Sequence, residues 1–322
     1  MIFSTGQVFA EVDKKSLTAA HLPPFFEDLG SAMGLPIIQP PLKTKPLNLI
    51  SVISTHRKEN LTSPATHKQL LNAIELGNLE RAKRLLIGID INSQDNRGIT
   101  PLYQSVFHHR MSLVQLLLKR GADVNLPDHE GLTPLHVTAL EDLNKLVSVL
   151  LDRGAELEAK DNYGYTPLHL ATDQGNVKTG QALIERGANV NNRADWDTTP
   201  LHSSIYHGNV KLVKLLIRNG ANVSAIDRLG RSALHWAAEK GHLSTAKFLI
   251  LNGASIHHQD NEGHTPLHEA AKWDQQKIIK LFILHGANVN AKGADGMSPL
   301  HIAIANGNMD IADLLKRRGA KL

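Results

Sequence analysis

Residues 166–198 read TPLHLATDQGNVKTGQALIERGANVNNRADWDT, and this stretch decides the architecture of most of the chain. Thr166 can cap a helix with its hydroxyl, and Pro167 sits at the helical position where a missing N–H costs nothing. Gly175, nine residues after the threonine, supplies the left-handed conformation that ends a short first helix. A second helix follows and stops at Gly187-Ala188, and the Asn- and Asp-rich residues beyond it suit a tight projecting turn.

The same phrase recurs on both sides. Thr100-Pro101-Leu102-Tyr103, Thr133-Pro134-Leu135-His136, Thr199-Pro200-Leu201-His202, Ser232-Ala233-Leu234-His235, Thr265-Pro266-Leu267-His268 and Ser298-Pro299-Leu300-His301 continue it, always at an interval of 33 residues. In each unit the second apolar set, such as Leu212, Val213, Leu215 and Leu216, has the spacing of one buried helix face. A weaker first copy is carried by Leu70, Ala73, Gly77-Asn78-Leu79 and Leu85-Leu86, with one residue fewer near Gly88. The period and the Thr-Pro-Leu-His phrase resemble the ankyrin repeat. The resemblance covers residues 67–322 and implies an all-α solenoid of helix–turn–helix pairs with projecting β-turn loops. One pair cannot cover its own apolar face, so neighbours must stack. Polar ends are then expected, and Lys68, Gln69, Asn72 and Glu75 stand at one end against Lys316, Arg317, Arg318 and Lys321 at the other. The array reads as complete, with its first and last units as caps.

Asp142 and Asp274 stand where other units have the mid-unit glycine, and Asp197 replaces the turn glycine before Thr199. Local loosening is expected there rather than a break in the stack.

Residues 1–66 differ in character. They hold seven of the 14 prolines and read as a partly disordered segment. Phe25, Phe26, Leu29 and Met33, following Pro23 and Pro24, fit one short helix that could dock on the array or on a partner.

Composition narrows the chemistry. The 322 residues carry 35 Lys and Arg against 31 Asp and Glu, with no long basic run, so nucleic acid is not an expected partner. Zero cysteines exclude disulfides, thiolate metal sites and a cysteine nucleophile. No apolar run approaches the ~20 residues of a membrane span, and no secretory signal opens the chain. A soluble, cytoplasmic monomer is expected, with delivery into a host cell without a classical signal peptide as the alternative.

Six of the 18 histidines occupy one motif position. At a spacing of ~8–10 Å between units they cannot share a metal, and hydrogen bonding to neighbouring turns is expected of them. The densest polar cluster is His257, His258, Asp260, Glu262, His264, His268 and Glu269. It lacks the His-Glu-x-x-His order, so neither a metal nor any other cofactor is expected, and a metal-dependent enzyme built on 257–269 ranks last. No nucleophile elbow, phosphate loop or dinucleotide fingerprint is present, so no catalytic residues are assigned.

The resemblance further implies a concave face lined by turn tips and the exposed ends of first helices. Six positions per unit qualify, and six of the array's ten aromatics fall on them: Phe107, Tyr163, Tyr165, Trp196, Tyr206 and Trp273. An even spread would place about 1.6 there. Tyr163, Tyr165, Trp196 and Tyr206 belong to adjacent units and are expected to form one patch rimmed by Arg193, Asp195, Arg228 and Arg231. Trp236 is assigned to the core. The expected function is a protein-interaction module or scaffold, with a microbial host-directed effector or a substrate adaptor as alternatives using the same surface. The resemblance also marks Asn125, Asn191 and Asn290 as the type of turn asparagine that asparaginyl hydroxylases modify.

Overall fold

A computed structural model describes residues 64–322, and the segment containing Phe25, Phe26, Leu29 and Met33 lies outside them. Among the described residues are 16 α-helices in eight successive pairs and no β-sheet. The pairs are α1 Pro64–Glu75 with α2 Leu79–Leu85, α3 Pro101–Phe107 with α4 Met111–Lys119, and α5 Pro134–Leu140 with α6 Asn144–Leu151. Next come α7 Pro167–Asp173 with α8 Val177–Glu185, and α9 Pro200–Tyr206 with α10 Val210–Arg218. The last three are α11 Ala233–Glu239 with α12 Leu243–Leu251, α13 Pro266–Lys272 with α14 Gln276–Leu284, and α15 Pro299–Ala305 with α16 Met309–Arg317. Pro64, grouped by composition with the segment before it, is the first residue of α1.

Each short first helix is started by its motif. Thr100 accepts from the Tyr103 N–H through its hydroxyl at 3.0 Å, and in the later units the motif histidine completes a capping box. The motif leucines Leu168, Leu201, Leu234, Leu267 and Leu300 are buried between consecutive units, as are Leu183, Leu216, Leu249 and Phe282 from the second helices. The expected polar termini are exposed.

The histidines tie units together, as the sequence suggests. The Thr133 N–H donates to Nδ1 of His136 at 3.1 Å, which places the ring proton on Nε2, and Nε2 donates to the Tyr165 carbonyl of the next unit at 3.0 Å. His169, His235 and His268 repeat this towards the carbonyls of Thr198, His264 and Met297. His202 keeps the bond from the Thr199 N–H, and its buried Nε2 faces the Arg231 backbone of the next unit without meeting hydrogen-bond geometry. Burial pushes the rings of His136, His202, His235 and His268 down to about 4, and that of His169 to about 3, so all five are neutral.

The turns form a second ladder. Each turn donates a backbone N–H to the turn before it, for instance Asn162 to Glu130 at 3.0 Å, Asp195 to Tyr163 at 2.9 Å and Arg228 to Trp196 at 2.7 Å. Side chains reinforce it from below. Asn125 donates to the Gly154 carbonyl at 3.0 Å and accepts from the Glu156 N–H at 2.8 Å. Asn191 and Asn290 bridge their units in the same way.

Asp142 and Asp274 do adopt the left-handed conformation, with φ of 53° and 56°, and the helix pairs continue on both sides of them. Asp142 also accepts from the Thr179 hydroxyl at 2.9 Å, so this departure is anchored. His109 occupies the same mid-unit position with φ of 58°. Imidazole tolerates that region better than most side chains, which is why this third departure passes without a glycine.

Candidate functional site

The turn tips put one residue per unit at the most projecting point, three before the motif Thr or Ser. Along the array these are Arg97, Glu130, Tyr163, Trp196, Leu229, Glu262 and Asp295. Three apolar tips therefore stand together, flanked by charge. Leu229 is 38% exposed and extends the patch, although a search confined to aromatics passes over it. Tyr163 and Trp196 are half-buried, and the backbone hydrogen bonds of the turn ladder hold their tips in register with the turns that follow.

Trp196 is held unusually. Residues Asp195–Asp197 form a tight turn in which both Trp196 and Asp197 are left-handed, with φ of 63° and 58°. Other units use one left-handed glycine at the second of these positions, such as Gly164 or Gly230. A bulky ring at positive φ costs on the order of 1–3 kcal/mol, and the helix stack does not require it. The Arg228 guanidinium lies over the indole, 5.7 Å from its centroid.

Arg193 straps this turn to the next, donating to the Ile226 carbonyl at 3.0 Å while 3.5 Å from the Asp197 carboxylate. Asp195 and Arg228 are exposed. Tyr206, at the end of α9, is half-buried beneath Lys240, whose Nζ lies 4.2 Å from the ring centroid, and its ring meets His207 and Trp236 edge-on. Phe107 and Trp273 occupy corresponding helix ends in other units, the first half-buried and the second 49% exposed with its indole N–H donating to Glu269.

Two expected members do not belong to the face. Tyr165 is 3% exposed, packed edge-on against His169. Its carbonyl receives the buried His136 ring, and Ile99, Leu132 and Thr198 are buried at the same phase. Arg231, at that phase too, is not a rim residue. It forms ion pairs with Asp227 at 2.9 Å and Glu239 at 3.0 Å, lies over the buried Trp236 and is only 15% exposed. Asp227 also accepts from the Trp236 indole at 3.0 Å, so these four residues make an interior polar knot under the patch.

Stacked helix pairs joined by projecting turns, with the invariant groups inside and the variable ones on the turn face, define a repeat solenoid. Matches to the family model of ankyrin repeats (three copies) cover residues 70–161, 110–194, 192–260 and 234–322, and the chain belongs to the ankyrin-repeat family. No curated protein matches it. Ankyrin repeats typically bind proteins and are generally non-enzymatic, so the family suggests a protein–protein interaction module. Among the described residues no helix is long and apolar enough to cross a membrane.

Proposed function

We propose that the chain binds a protein partner on its turn face, with Tyr163, Trp196 and Leu229 as the apolar centre, Tyr206 beside them, and Arg193, Asp195 and Arg228 as the polar rim. The observation that carries this reading is the left-handed Trp196. A large ring is kept at a projecting tip at a conformational cost that the fold does not need, and local strain of this kind concentrates at binding sites. Tyr and Trp anchor interfaces by burying large rigid surfaces, and flanking charges select the partner.

The test is capture of partners from a lysate of the source cells by the full chain, compared with a Tyr163→Ala, Trp196→Ala, Tyr206→Ala triple variant. Tyr165 is left intact because its loss would disturb the core. Disappearance of a captured protein from a variant that melts like wild type supports the reading. A photo-crosslinker placed at residue 228 should label that same protein. Identical capture by the two chains refutes the face.

A further inference from the structure

The most unusual chemistry outside the patch lies one unit beyond the polar knot. In that knot, the Asp227 Oδ1 accepts from the backbone N–H groups of Leu229 and Arg231, each at 2.9 Å, leaving Oδ2 for the donors of Arg231 and Trp236. Asp260 is fixed identically, its Oδ1 accepting from the N–H groups of Glu262 and His264 at 2.9 Å. The two positions that supply donors in the preceding unit are here His264 and Glu269. In the units of Asp128 and Asp161 the same positions are apolar, Leu132 with Val137 and Tyr165 with Leu170. A donor pair has thus been exchanged for a set of groups that bind cations.

The three side chains converge. One ligand atom each from Asp260, His264 and Glu269 lies within 4.8 Å of the others. The His264 ring is 13% exposed and stacks on His268 with centroids 5.0 Å apart, which sets its plane. Its Nε2 is shielded from solvent and faces the Asp295 carboxylate at 3.6 Å, beyond a normal hydrogen bond, while Nδ1 lies 3.5 Å from that of Glu262, so the ring sits among carboxylates on both edges. Glu269 is 8% exposed and accepts from the Trp273 indole, with Lys272 and Arg231 as the cations facing it. His258 and His268 are committed elsewhere, to the Gly230 and Met297 carbonyls.

We propose that Asp260, His264 and Glu269 bind one divalent transition-metal ion of the zinc class, through one imidazole nitrogen and two carboxylates. Two carboxylates with a neutral imidazole match a dication in charge, and this mixed nitrogen and oxygen set suits zinc and its neighbours better than magnesium or calcium. Bonds of about 2.0–2.2 Å require ligand atoms roughly 3.5 Å apart, so side-chain rotations of about 1 Å complete the site. Water fills the fourth position. The site pins the turn of one unit to the first helix that follows it, which is the role the Asp227–Trp236 and Arg231–Glu239 contacts perform one unit earlier.

The test is calorimetric titration of the untagged full chain, stripped with chelator, using zinc sulfate alone, and in parallel the visible spectrum on adding cobalt(II). Wild type is expected to take up one equivalent and to give the ligand-field bands of a low-coordinate cobalt site. His264→Arg, which installs the cation used one unit earlier, is expected to abolish both. The isosteric Glu269→Gln should weaken binding at least tenfold, and it carries the test if His264→Arg fails to fold. His257→Ala, at an exposed position outside the triad, should bind as wild type. Absence of uptake by wild type, or unchanged uptake by folded Glu269→Gln, overturns the proposal.

Discussion

Acid is expected to unfold this array through its histidine ladder. The ladder rings titrate at about 6.5 when solvated, but burial holds four of them at about 4 and His169 at about 3 in the folded chain. A folded pKa below the unfolded one means the unfolded chain binds more protons between these values. Stability is therefore complete above pH 6.5 and is lost as the pH falls towards 4. Between pH 7 and pH 5 each ring costs about 2 kcal/mol, at about 1.4 kcal/mol per unit of pKa difference. Five rings give on the order of 10 kcal/mol, comparable with the whole stability of a typical domain. Asp161 works the other way: burial raises it to about 6, so it gains a proton in the folded state and offsets part of the loss. The raised carboxyls of Asp128, Glu130 and Glu269 act in the same sense.

Urea denaturation followed by circular dichroism at pH 7, 6 and 5 measures the effect, and His169→Gln isolates one rung. Glutamine keeps a donor and an acceptor near the Thr166 and Thr198 backbone but does not titrate. Whatever its stability at pH 7, the variant should lose about 2 kcal/mol less than wild type on acidification to pH 5. A wild-type stability flat across this range, or equal losses in the two chains, would refute the reasoning.

Other substitutions separate strain, bridging and ion pairing. Asp274→Gly relieves a left-handed, exposed aspartate and should raise stability by about 0.5–1 kcal/mol in the same urea assay. Asp142→Gly relieves the same strain but loses the Thr179 hydrogen bond, so it should gain less than Asp274→Gly. Arg231→Ala strips Asp227 of its cation in a mostly buried site, while Glu239 keeps Lys240 at 2.9 Å, and should cost about 3 kcal/mol. Asn125→Ala removes two bonds between consecutive units and should cost about 1–2 kcal/mol, with enhanced amide exchange at Glu156.

What repeats in the chain is legible because every unit meets the same neighbours. Thr133, His136 and Leu135 can be assigned without coordinates, since the next unit presents the same carbonyl and the same apolar face again. What differs between units is legible only in part. The residue before each motif reads as a face position, but Ile99 and Leu132 are apolar and buried at that phase, and Tyr165 and Arg231 turn inward with them. Asp197 in place of glycine marks an altered turn, but not that Trp196 itself shares the left-handed conformation. The cluster at 257–269 is visible as composition but has no known ligand order. Its meaning rests on a comparison between positions. Asp260, His264 and Glu269 stand 33 residues after Asp227, Arg231 and Trp236, but that their side chains converge depends on the packing of turn against helix. In a solenoid, then, the departures from the repeat carry the specific chemistry, and each is interpretable only against the unit beside it.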